Sequence, residues 1–144
     1  VYLTGAVLGS RKGTLAMVIY CLIGIFGIPV FSQGKSGLPI LVGPTGGYIL
    51  GFVLAAFIIG RIIETRDQIS FFRSFGAMTA GLFVIYLVGA GQLKFVLGLS
   101  LKEALVIGVW PYLPFEFVKV MMGAYLGCRV RKAIRDSFPE PAAD

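Results

Sequence analysis

Long apolar runs, each closed by a short polar or basic turn, set the limits of what this chain can become. Gly46–Ile63 and Ser74–Leu93 each predict a membrane-spanning helix, because about 20 mostly apolar residues cross the hydrocarbon core. Thr14–Ile28 predicts a shorter span ending at Pro29, and Leu101–Gly127 a long final one. Val1–Leu8 reads as the end of a helix, and Gly9-Ser10-Arg11-Lys12-Gly13 as a basic turn. The count is four complete spans plus a fragment in a single integral membrane domain over 1–144. A disordered cytoplasmic tail is expected from about 136. Only 14% of residues are charged, against about 25% in globular chains. A formal charge of +6 would suggest nucleic acid in a soluble protein; in a membrane protein it reports orientation instead.

That orientation follows from where the bases fall. Arg11, Lys12, Arg61, Arg66, Arg73, Arg129, Arg131, Lys132 and Arg135 lie at one set of helix ends, and only Lys35, Lys94 and Lys102 at the other. The positive-inside rule makes the richer side cytoplasmic. The expected location is therefore the plasma (inner) membrane, multi-pass, with the C-terminus in the cytoplasm. The long Pro29–Thr45 connection is then external. It contains three prolines, and its backbone cannot face lipid, so it must lie in water or cap the bundle.

Two charges fall inside the last apolar run. Glu116 and Lys119 are three residues apart and share one helical face. Intramembrane charges are costly, so such residues point by default to function. A pair of this kind can serve as the floor of a polar pocket: lysine would meet an anionic ligand group, and the glutamate would accept ligand N–H groups. The competing reading is an ion pair holding two helices together, which often adds little net stability. Pro111 and Pro114 just upstream break the backbone ladder and are expected to bend the segment.

The second constellation is Gly43-Pro44-Thr45-Gly46-Gly47-Tyr48. Thr45 is placed to cap the following helix, and Gly46 and Gly47 allow a ligand or another backbone to come close. Tyr48 offers a ring and a hydroxyl. A purely structural Gly-Pro turn fits these residues too. Tyr86, Trp110 and Tyr112 are further aromatics with polar tips near the outer helix ends, and Gln92 is a weaker site candidate or a water-boundary residue. Gly47 and Gly51 form a small-xxx-small pair suited to close helix packing. Cys21 and Cys128 match no zinc or redox spacing, and the chain has no histidine. No nucleophile–base pair accompanies Glu116 and Lys119, which disfavours an intramembrane enzyme.

Taken together, Arg11-Lys12-Gly13, the Gly24…Gly27-Ile28-Pro29-Val30-Phe31 exit, Gly43-Pro44-Thr45-Gly46-Gly47-Tyr48 and Pro111-x-x-Pro114-x-Glu116-x-x-Lys119 resemble the BioY family. Its members are the biotin-binding S components of energy-coupling factor (ECF) transporters. The resemblance implies an all-α, six-transmembrane-helix bundle, with the first helix and part of the second missing from this sequence. It implies an external site under the Pro29–Thr45 loop, with Thr45, Gly46, Gly47, Tyr48, Tyr86, Glu116 and Lys119 as substrate-binding residues. It implies biotin as the transported ligand and no bound cofactor. A transmembrane coupling protein and two ABC-type ATPases would be the partners, with ATP hydrolysed outside this chain. The family usually has Asp where this sequence has Glu116, and Gly where it has Phe115; both changes fill space. An S component for a different vitamin and a non-transporting structural subunit are the alternative readings.

Overall fold

The computed structural model describes residues 1–65 and 70–137, and all of its long elements are helices. They are α1 (Tyr2–Ile25), α2 (Leu38–Val42), α3 (Gly46–Glu64), α4 (Phe71–Leu97), α5 (Leu101–Gly108) and α6 (Leu113–Ser137). Among the described residues, α3 and α4 are each long and apolar enough to cross a membrane, and α1 is too when it is counted through its break at Gly9. A fourth crossing exists if α5 and α6, bent by 59° at a short break, are counted as one span. The final span expected over Leu101–Gly127 is thus two helices. The backbone turns at Val109–Tyr112, where the amides of Tyr112 and Leu113 both reach back to the Val109 carbonyl. Pro114 then sits in the first turn of α6, where its missing N–H leaves no helical acceptor unpaired.

α1 is not one straight rod. Gly9 interrupts it at φ 78°, ψ −176°, a conformation that glycine alone adopts readily. Beyond the break the chain doubles back, so that Gly13 packs on the Thr4 carbonyl and the Gly5 Cα. The turn expected at Gly9–Gly13 is therefore a tight fold-back inside an otherwise helical segment. It is tied to the end of α3: Glu64 accepts from the Ser10 amide (2.7 Å) and the Ser10 hydroxyl (2.6 Å). This carboxylate takes the amide that opens the helical stretch after Gly9, as a capping side chain would.

Small residues set the helix spacing. Gly47 meets the Val88 carbonyl and Gly89, Gly51 meets Ile85, and Gly5 meets Ala56. The Gly47/Gly51 pair therefore joins α3 to α4, as close packing of small residues allows. Ala55, Ala56, Ile59, Ala77, Met78 and Ala124 are completely buried where α1, α3, α4 and α6 meet. Gly76, by contrast, has open space beside it.

Several boundaries differ from the sequence reading. α1 stops at Ile25 rather than Ile28, because Gly27 turns the chain at φ 99°. α4 runs on past the Leu93 end of the expected span to Leu97 and ends at Gly98 in the left-handed conformation. Ser100 and Glu103 form a reciprocal capping box that starts α5. The tail expected from 136 falls mostly outside the described residues, as do Arg66 and the side chain of Arg135; Asp136 and Ser137 belong to α6.

The Pro29–Thr45 connection is an ordered cap. Phe31 is buried against Gly24 and meets Tyr20 edge-on, with centroids 5.7 Å apart. The Gly37 amide donates to the Gly24 carbonyl (2.7 Å), and Tyr20 donates to the Val30 carbonyl (3.0 Å). Its polar backbone is thereby paired with the end of α1.

Candidate functional site

The break between α5 and α6 decides where the two intramembrane charges go. Glu116 lies in the first turn of α6, directly after the bend, and its amide bonds back to Tyr112 (2.9 Å). Lys119 Nζ lies 2.8 Å from Glu116 Oε1. The two are unequally exposed, 62% for the lysine side chain and 17% for the glutamate. The pair lies within α6 and spans three residues, so it does not join two helices. That removes the competing reading in its simplest form.

The contact from Glu116 to another helix is made by Tyr2, whose hydroxyl donates to Oε2 at 2.7 Å. Tyr2 is absent from the sequence-derived set. It is an aromatic in an apolar run with nothing local to mark it, and its partner lies 114 residues away. The only available signal was a tyrosine hydroxyl needing a partner among apolar neighbours.

Both carboxylate oxygens are thus engaged, yet neither group is saturated. An ionised carboxylate has about four acceptor positions and an ammonium three donors. Among the described residues, Glu116 uses one bond on each oxygen and Lys119 one donor. Free capacity of both signs remains at one point.

Tyr48 and Tyr86 meet edge-on, with centroids 6.2 Å apart and planes at 87°. The Tyr48 hydroxyl donates to the Gly108 carbonyl (3.0 Å), and its ring lies against Gly89, where a Cβ would overlap it. Tyr48 is therefore wedged between α4 and α5 and locates the last turn of α5. Trp110 and Tyr112 project from the break and are exposed.

The Gly43–Tyr48 run is shaped by protein neighbours. Thr45 occupies the N-cap position of α3, but it is helical in φ/ψ and its side chain makes no cap bond, which corrects the expected role. The close approach at Gly46 and Gly47 is by other parts of the chain: the Leu41 carbonyl at Gly46, Val88 and Gly89 at Gly47, and the Gln92 side chain at both. Gln92 is an anchor. Its amide nitrogen donates to the carbonyls of Leu41 (2.7 Å) and Gly43 (2.8 Å), fixing the end of the Pro29–Thr45 cap to α4. An apolar hollow of about 430 Å³ lies between α4 and α6, lined by Phe75, Thr79, Leu82, Leu113, Pro114, Phe117 and Val120.

The BioY family profile matches residues 1–136. This chain belongs to the BioY family. The biotin transporter BioY of Thermotoga maritima is 39% identical over 132 residues, which is 92% of this chain and 76% of that protein. The biotin transporter BioY of Rhizobium etli is 35% identical over 148 residues, 96% of this chain and 75% of that protein. A crystal structure of the S-component for biotin from an ECF-type ABC transporter superposes with a TM-score of 0.84 at 24% identity, over 91% of this chain and 71% of that one. That likeness establishes the all-helical S-component fold, and the apolar helices make the BioY-family chain a multi-pass membrane protein.

Proposed function

We propose that this chain is the biotin-binding subunit of a membrane uptake transporter. The observation that carries the reading is the Glu116–Lys119 pair, set just after a break in the last span with unused hydrogen-bonding capacity of both signs. Biotin matches that pattern, since it has one carboxylate, one ureido group and an apolar ring and chain. Lys119 receives the carboxylate through its free donors. Glu116 accepts from the ureido N–H groups. Tyr86 and Tyr112 pack the apolar body, and Tyr48 holds the α5 end of the site in place. The Gly43–Gly47 run and Thr45 close it from the side of the cap.

The basic residues orient the chain with this mouth outward and the C-terminus in the cytoplasm. Gly34-Lys35-Ser36 occurs in the sequence, but Pro29 stands where the first glycine of a Gly-x-x-x-x-Gly-Lys-Ser/Thr phosphate loop is required, so the nucleotide-binding motif is incomplete. Inward delivery then draws on a transmembrane coupling protein and two ABC-type ATPases. The 1–144 segment acts as one membrane domain, and no cofactor takes part.

The test is a titration with biotin of the protein purified in detergent, read by calorimetry or by Trp110 fluorescence, with thiamine and riboflavin as controls. Tight, stoichiometric binding of biotin alone is expected. A response to another vitamin would overturn the ligand. Silence toward all three in folded protein would overturn the transporter reading.

A further inference from the structure

We propose that Tyr2 is a positioning residue for ligand binding. Its hydroxyl holds the Glu116 carboxylate in place when Lys119 shares its charge with an anionic ligand. This rests on the reading of Glu116 and Lys119 as the ligand site.

Glu116 is held from two sides by groups of different kinds. Lys119 holds Oε1 from within α6, on an exposed and flexible stem. Tyr2 holds Oε2 from α1, at 2.7 Å, with its ring packed in the core cluster. Gly123 of α6 packs beside it: a Cβ there would lie 3.6 Å from the Tyr2 Cβ, an ordinary contact distance. A tyrosine has two side-chain torsions to fix and a lysine four, so the tyrosine contact is the more rigid of the two.

A ligand carboxylate arriving at Lys119 puts two anions beside one cation. Glu116 then loses part of the compensation for its charge, in an environment where an uncompensated charge is costly. The Tyr2 O–H bond does not depend on the ligand and persists. It keeps the carboxylate in one rotamer, with its remaining acceptor positions fixed toward the ligand. A donor to a charged acceptor in this setting is among the stronger single hydrogen bonds.

The experiment uses Tyr2→Phe, Glu116→Gln and the double variant, with biotin affinity measured by calorimetry and folding by thermal unfolding. Tyr2→Phe removes one oxygen and keeps the ring. It is expected to fold and to weaken biotin binding by roughly 10-fold or more. The double variant is expected to bind no worse than Glu116→Gln alone, because Tyr2 acts only through that carboxylate. Unchanged affinity in Tyr2→Phe, or losses that simply add, would overturn the proposal. A Tyr2→Phe protein that fails to fold would assign Tyr2 to stability and overturn it as well. A parent protein that binds no biotin would instead remove the reading beneath it.

Discussion

Gly89 and Gly91 lie two residues apart on α4 and should respond oppositely to the same substitution. A Cβ at Gly89 falls on the Tyr48 ring, whereas one at Gly91 meets nothing within 4 Å. The ring cannot simply yield. On its other side the hydroxyl is bonded to the Gly108 carbonyl, and a Cβ at Gly108 would also strike that hydroxyl. Overpacking of this kind costs about 1–3 kcal/mol. Displacing the ring also loses a neutral hydrogen bond worth about 1 kcal/mol. Against this, replacing a helical glycine by alanine returns roughly 1 kcal/mol. Gly89→Ala should therefore destabilise by about 1–3 kcal/mol. Gly91→Ala should be neutral or stabilising by up to about 1 kcal/mol. Thermal unfolding of both variants in the same detergent reads the difference directly. Biotin affinity should fall only for Gly89→Ala, because Tyr48 also sets the position of Tyr86 and of α5. Equal melting temperatures for the two variants, or a stabilised Gly89→Ala, would refute the account of Tyr48 as a wedge.

Gly9→Ala should lower the unfolding temperature, since the new side chain is strained at φ 78° and collides with the Glu64 carboxylate that holds Ser10. The strain alone is worth about 1–3 kcal/mol, and an unchanged melting curve would count against the fold-back at Gly9. Gln92→Met should leave the bundle intact but release the Leu41 and Gly43 carbonyls. The expected result is faster proteolysis within 38–43 and faster release of bound biotin, and a cap as protease-resistant as in the parent would contradict the anchoring role.

What could be read from sequence followed the range of the interaction. Hydropathy located α3 and α4, because the cost of placing polar backbone in lipid depends on the segment itself. The Glu116–Lys119 contact was visible because residues three apart meet on any helix. Gly47 and Gly51 were recognisable as packing residues, although not their partner helix. The break between α5 and α6 was foreshadowed by Pro111 and Pro114, but not its 59° angle. That angle depends on a turn closed at Val109 and on the Tyr48–Gly108 bond from a distant helix. The Tyr2–Glu116 and Ser10–Glu64 contacts join positions 114 and 54 residues apart, and no local pattern encodes them. Thr45 shows the opposite failure. The residue type and position suit a cap, but its backbone is already helical, so its oxygen takes no amide of the first turn.

The most direct test of the central claim compares the parent protein and Lys119→Ala, each titrated calorimetrically with biotin and with a neutral biotin amide. If Lys119 meets the ligand carboxylate, the parent prefers biotin to the amide, and Lys119→Ala weakens biotin binding and loses that preference. If Lys119→Ala discriminates between the two ligands as the parent does, the carboxylate is held elsewhere and the proposed charge assignment is wrong.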